Sequence, residues 1–465
     1  MAGDGVGRAL ALAEQGFDAS VERLKDLLRI PSVGTDPAYA ADTRRCAQWC
    51  ADELATLGFR ARLVETGGQP CVVAHHDGIE GGGPRVLYYG HYDVQPADPL
   101  ELWESPPFQP EVVEGPRGPR VVARGAVDDK GQVMTFVEAF RAWKEAAGGP
   151  PVPVTVVLEG EEESGSVHLE PFLERHKDEL RADVCVISDT GMPDVDRPAV
   201  TYMLRGLVYV ELTLKGPSHD LHSGMYGGAV VNPINALCRI IADLHDAEGR
   251  VRIPGFYDDV REIGEAERTA WENLGVAETD FIATAGLKTP GGGERGRGIF
   301  ERVWARPTCD ANGIWGGYTG AGAKTVIPAR ASAKLSCRLV PDQAPEKVLA
   351  GLRRFVEERL PPDFSYELQD HGLSPAIRVP TDSPYLAAAK RAAASVFGRE
   401  PVLIGCGGSI PVVGSMKRLL GLDTILLGFG LDDDRVHSPN EKFELVCYER
   451  GIRTHVALLG ELAGA

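Results

Sequence analysis

No stretch of this chain is long and apolar enough to cross a bilayer, and its opening segment carries early charge without the apolar run of a signal peptide. Membrane association is not expected. Cysteine is sparse, with nine residues in 465, an odd number scattered without any Cys-x-x-Cys pair. That excludes a disulfide framework and a thiolate metal site, and a reducing cytoplasm is the expected location. Positive charge is also in deficit, with 49 Lys and Arg against 67 Asp and Glu and a net charge of -18. Such a field repels polyanions, so nucleic acid is not an expected partner. Internal repeats and low-complexity tracts are missing as well. What remains is an ordinary globular composition, 43% hydrophobic and 25% charged, on a chain long enough for two domains.

Hydrophobic spacing outlines the organisation. Apolar positions Val21, Leu24, Leu27 and Leu28 predict a helix over 17–28, and Cys46, Cys50, Leu54 and Leu57 share one face of a second helix over 41–57. Strand-like runs follow at 70–74 and 85–89, then a helix after Asp128-Asp129-Lys130-Gly131, a β-branched strand at 154–158 and another at 182–187. Buried strands alternating with helices, each strand stopping at a polar cluster, predict an α/β domain with a mostly parallel sheet. The texture changes near Arg205-Gly206. Alternating strands at 207–214 and 331–340, helices at 233–244 and 345–360, a strand at 364–368 and a Gly- and charge-rich stretch at 246–302 predict a smaller α+β unit. Beyond Pro380 the first texture returns, with a helix at 384–397, a strand at 424–427 and a helix at 443–462. The expected architecture is one catalytic domain, 1–206 and 380–465, interrupted by an inserted lid at 207–379.

The chemistry sits at the strand ends, where open sheets of this kind bind ligands. Potential metal ligands are His91 in GHYDVQP, Asp128 in RGAVDDKG, Glu163 in EGEEESGS, Asp189 in VISDTG and His437 in RVHSPNE. Taken singly each has a plainer reading: a satisfied histidine, a helix N-cap at Asp128-Asp129, a solvated run at Glu161-Glu162-Glu163. Together they place several carboxylates at the ends of buried strands, and carboxylates crowded there need a cation. Nitrogen and oxygen donors without thiolates suit zinc, manganese or cobalt.

With GHYDVQP, WESPPF, RGAVDDKG, EGEEESGS, DLHSG, GAKTVIP, GGSIPV and HSPNE in this order along nearly the whole chain, the sequence resembles the M20 metallopeptidases, nearest the carnosinase-like cytosolic dipeptidases. The resemblance implies two divalent ions per subunit, zinc or manganese and also cobalt. Asp128 would bridge them, with His91 and Asp189 completing one site and Glu163 and His437 the other. It implies Glu162 as general base and Asp93 as the residue that orients His91. From the lid, His222 in DLHSG would reach the active site of a partner subunit, which implies a homodimer through the lid domain. Arg338 would hold the substrate's free carboxylate, with Thr325, Gly408 and Ser409 as further substrate contacts. The chain departs from many relatives at Cys406, where an acidic or polar residue precedes GGSIP, and at Ala123, which replaces a usual Gly.

The expected function is hydrolysis of the amide bond of dipeptides or related small acyl amino acids with a free carboxylate. A deacylase, desuccinylase or glutamate carboxypeptidase would use the same site chemistry. A catalytically inactive binding or scaffold protein is the alternative of a different class, and the presence of Glu162 with the full ligand set speaks against it.

Overall fold

The structure, a computed structural model, describes residues 2–79 and 82–464. The chain divides into two compact units, one comprising Met1–Tyr202, Val379–Ile404 and Ser415–Ala465, the other Met203–Arg378 and Gly405–Gly414.

In the first unit the central strands Val154–Glu159, Val86–His91, Val184–Ile187 and Thr424–Leu426 run parallel to one another in that order. They are buried along their whole length, which is why they read as unbroken apolar runs rather than alternating ones. Arg60–Val64 and Cys71–His76 extend the sheet antiparallel on one side, and Ala199–Leu204 joins antiparallel on the other through Thr201 opposite Leu426. The sheet is therefore mixed, and the parallel arrangement expected from the sequence holds for its centre alone. At the outer edge the short link between Val64 and Cys71 permits only antiparallel pairing of the strands it joins.

Helix Lys130–Ala147 carries Phe136 and Phe140 against Tyr88 of a central strand, at ring separations of 5.0 and 5.2 Å, and ends at Gly148 in the left-handed conformation, φ +93°. Its first residue, Lys130, is buried and donates to the carbonyls of Leu27 and Ile30 at 3.3 and 2.6 Å, satisfying the C-terminal end of helix Phe17–Leu28. A further helix, Ala2–Gln15, is unmarked in the sequence, because its glycines lower intrinsic helix propensity. It forms by packing: Gly460 of helix Leu445–Ala463 has no side chain, and a Cβ there would stand 2.3 Å from Val6.

The second unit is built on an antiparallel sheet ordered Thr308–Gly316, Arg330–Leu339, Gly206–Lys215, Ser365–Ser374. Gly206–Lys215 alternates strictly between buried and half-buried residues, and Val208, Val210, Leu212 and Leu214 face Leu352 and Phe355 of helix Pro345–Glu357 in one core. Strand Thr308–Gly316 and helices Glu265–Glu272 and Glu278–Ala283 lie in or just beyond the Gly- and charge-rich stretch, which hides them from periodicity.

Candidate metal centre

Each ligand candidate of the first unit sits just where a strand or its following loop stops. His91 is the last residue of Val86–His91, and Asp128 ends the loop leading into helix Lys130–Ala147. Glu162 and Glu163 open a single turn after Val154–Glu159, Asp189 follows Val184–Ile187, and His437 lies in the loop before strand Lys442–Glu444. Parallel strands bring these ends to one edge of the sheet.

The donor atoms form two groups that share one residue. His91, Asp128 and Asp189 are one, and Asp128, Glu163 and His437 the other, with the atoms of each group within 4.8 Å of one another. His91 Nε2 lies 3.2 Å from Asp128 Oδ1 and 3.9 Å from Asp189, while His437 Nε2 lies 2.9 Å from Asp128 Oδ2 and 3.3 Å from Glu163. The two Asp128 oxygens thus face two different histidines.

His91 is held in a ligand-ready state. Its Nδ1 donates to the Asp93 carbonyl at 3.1 Å and lies 3.4 Å from the Asp93 carboxylate, so Nδ1 carries a proton and Nε2 is aimed at the acids; burial would lower the ring's pKa, yet Asp128 and Asp93 raise it well above its ordinary value. Nε2 is buried and makes no hydrogen bond. The Asp93 carboxylate accepts instead from the backbone N–H groups of Glu162 and Glu163, at 3.3 and 3.1 Å. Orientation of His91 therefore comes mainly from the Asp93 main chain, and its side chain positions the two glutamates. Gly34 makes room for that carboxylate, since a Cβ there would stand 2.4 Å from Asp93 Oδ2.

Electrostatics at the cluster favour positive charge. Burial pushes Asp189 up to about 7, with Asp128 adding to it, and Glu162 is raised well above the carboxylate range by burial, with Asp189, Glu163 and Asp128 contributing and His91 opposing. Burial would raise Asp128 as well, yet the His437 and His91 rings hold it well below the usual range. His437 is pushed up to about 10 by Asp128 and Glu163. An unpartnered buried imidazole nitrogen, crowded carboxylates and a donor set of nitrogen and oxygen fit divalent cations.

Several supporting residues carry no role in the sequence reading. Gln95 donates to Glu163 Oε2 at 2.8 Å. Asp129 accepts from the His91 N–H at 3.1 Å, and a Cβ on Gly90 would crowd it at 2.8 Å. Glu441 accepts from the N–H groups of Gly125, Val127 and Asp128 and from Arg124 Nη1, at 2.7 to 3.1 Å. Gln95 and Glu441 lie within GHYDVQP and HSPNE, so the motifs were the available signal.

In the second unit, His222 pairs with Val326 across the short ladder of Leu221–His222 and Val326–Ile327, and Ser223 N–H donates to the Thr325 carbonyl at 3.0 Å. His222 and Thr325 are thereby neighbours, both exposed. His222 Nδ1 accepts from the Gly224 N–H at 3.0 Å, which places the proton of the neutral ring on Nε2. Arg338 Nη1 donates to Ser409 Oγ at 2.9 Å, and Ser409 Oγ donates to the Arg205 carbonyl at 2.6 Å. Gly408 is exposed beside them, its carbonyl accepting from Arg205 N–H at 3.2 Å.

Residues 87–461 match the pattern of peptidase family M20/M25/M40. The chain is 33% identical over 459 residues to the Cys-Gly metallodipeptidase DUG1 of Candida albicans, covering 93% of this chain and 92% of that protein. It is 32% identical to the human Beta-Ala-His dipeptidase over 464 residues, 96% of this chain and 90% of the other. Among solved structures, the di-peptidase Dug1p of Saccharomyces cerevisiae superposes with a TM-score of 0.86 at 27% identity, covering 99% of each chain. The strand-end cluster of histidines and carboxylates, the match over most of the chain and these full-length likenesses agree: the chain belongs to peptidase family M20/M25/M40.

Proposed function

We propose that this protein hydrolyses the peptide bond of dipeptides with a free carboxylate, using two divalent ions held by the strand-end cluster. The observation that carries the reading is Asp128, whose two oxygens face two separate donor groups. Likeness along the whole length to metallodipeptidases supports the substrate class.

His91, Asp128 and Asp189 would hold one ion and Asp128, Glu163 and His437 the other; zinc, manganese or cobalt fits these donors. A bound pair supplies Lewis acidity, polarising the scissile carbonyl and lowering the pKa of water. The remaining steps belong to the chain. Glu162 takes the proton of the attacking water and delivers it to the leaving amine. Asp93 keeps Glu162 in place through the Glu162 N–H and keeps the His91 ring in its ligand tautomer. His222 offers an Nε2–H donor to the carbonyl oxygen of substrate bound to the partner subunit, which requires a homodimer formed through the lid. Arg338 takes the substrate carboxylate, Ser409 orienting its guanidinium, with Thr325 and Gly408 lining the same substrate. None of the nine cysteines is in a disulfide, as a reducing cytoplasm would leave them, and no helix among the described residues is long and apolar enough to cross a membrane.

A panel of free dipeptides and N-blocked acyl amino acids, assayed with Mn²⁺, Zn²⁺ or Co²⁺ after metal analysis, tests the reading. Turnover that requires a free amino group is expected. Hydrolysis confined to N-blocked substrates would make the protein a deacylase, and no turnover with metal bound would leave a scaffold.

A further inference from the structure

Acids outnumber bases in this chain, and its best buried arginines have found them. Arg124 pairs with Glu441 at 2.7 Å and Arg306 with Glu294 at 2.9 Å. Arg205 and Arg338, in the second unit, are different. Both are half-buried, the Arg338 charge disfavours that of Arg205, both guanidinium groups bond to the 407–409 loop, and among the described residues neither forms an ion pair with a carboxylate. Their hydrogen bonds go to neutral groups: Arg205 Nε donates to the Gly407 carbonyl at 2.9 Å and Arg338 to Ser409 Oγ. Ser409 ties the two together, because the same hydroxyl donates to the Arg205 carbonyl. Cys406 and, after it, Asp310 are the groups whose fields favour the charge of both arginines; Asp310 is exposed and pairs with neither. Burial, with Arg338 adding to it, pulls Arg205 down to about 10.

Two neighbouring half-buried cations without a paired carboxylate are costly, and an arriving anion recovers that cost. One carboxylate on Arg338 leaves the second positive charge uncompensated. The residue ahead of GGSIP is Cys406, so no carboxylate enters from that position either.

We propose that Arg205 and Arg338 together form a dicarboxylate subsite, Arg338 taking the α-carboxylate of the substrate and Arg205 the side-chain carboxylate of a C-terminal Glu or Asp. This rests on the dipeptidase reading above and narrows it to acidic dipeptides. Arg205 is the specificity-determining residue, and Cys406 is the position from which a carboxylate would cancel its charge.

The test compares Ala-Glu with Ala-Gln, which match in shape and differ in charge. The metal-loaded enzyme should favour Ala-Glu in kcat/KM by about tenfold or more, the scale of a charge-assisted hydrogen bond set against a neutral one. Arg205→Gln should bring the ratio close to one and Arg205→Lys should retain part of it. Cys406→Glu, which supplies an internal counter-charge and leaves both arginines in place, should also collapse the ratio. Calorimetric binding of free glutamate against glutamine reads the same preference without turnover. Equal hydrolysis of Ala-Glu and Ala-Gln, or a preference that survives both Arg205→Gln and Cys406→Glu, overturns the subsite and leaves the dipeptidase standing. If neither peptide is cleaved with metal bound, the dipeptidase reading fails, and equal affinities for glutamate and glutamine then overturn the subsite as well.

Discussion

Glu162 and Glu163 are neighbours in sequence with different surroundings. Glu163 lies 3.3 Å from His437 and accepts from Gln95, a donor-atom position in the cluster. Glu162 belongs to neither donor group, and burial with the surrounding acids holds its carboxyl far above the usual range. Cations in the cluster would offset those acids and bring Glu162 back toward a working base. Glu162→Gln keeps size and hydrogen bonding while removing the proton acceptor. It should retain its metal content and lose at least ~10²-fold in kcat, the lower range for general-base catalysis. Metal analysis beside steady-state kinetics checks this, and near-wild-type turnover would remove Glu162 from the mechanism. The residue types were legible in EGEEESGS, but their division of labour came only from the family resemblance, because adjacent positions in one turn look alike until their neighbours are known.

At the scale of elements, what could be read from the sequence is what local pattern encodes. The central strands announced themselves because burial on both faces demands unbroken apolar runs, and the polar residue after each run marked the site. Strand Arg60–Val64 and the hairpin Glu111–Gly115 with Gly118–Val122 escaped notice, being short and mostly half-buried or exposed. Glu441 escaped for another reason. It binds backbone N–H groups more than three hundred residues earlier in the chain, an arrangement with no local signature. That carboxylate shapes the loop carrying Asp128, so Glu441→Gln should act on folding and site together. The amide cannot accept at both ends, and Arg124 is left as a buried cation without its partner, a loss of about 3–5 kcal/mol. Urea unfolding should register that loss, and the affinity for Mn²⁺ should fall about 10–100-fold. Unchanged stability would show that the loop holds its shape without Glu441.

The two units together make a prediction that neither makes alone. If His222 serves the partner's substrate, a His222→Ala subunit and a Glu162→Gln subunit each lack a different group of the same reaction, and a mixed dimer contains one intact site. Activity should return on mixing the two inactive variants. Verified subunit exchange without recovery would place His222 in its own subunit's site or outside the chemistry.

Over the whole molecule, the cluster also ties stability to pH and to cations. Asp189, at about 7, is raised above its unfolded value near ~3.9, so as pH climbs from about 4 through 7 ionisation favours the unfolded chain. His437, at about 10, is raised by its acid partners and contributes stability that is complete below ~6.5 and lost as pH rises through 10. Asp128 acts in the opposite sense, but only below ~3.9, where its lowered pKa begins to cost stability. The first two effects have the same sign and follow one another, Asp189 up to about pH 7 and His437 from ~6.5 upward, so between pH 6 and 9 the metal-free protein should melt at progressively lower temperature. Divalent ions reverse the trend, since they take deprotonated ligands and bind more tightly as protons leave. A hundredfold excess over Kd stabilises by about 2.7 kcal/mol, and Kd itself falls as pH rises. Thermal unfolding of chelator-stripped protein with and without Mn²⁺ should thus show a larger gain in Tm at pH 8 than at pH 6. A gain independent of pH, or a stripped protein that grows more stable toward pH 9, would mean that these carboxylates and His437 do not hold the ions.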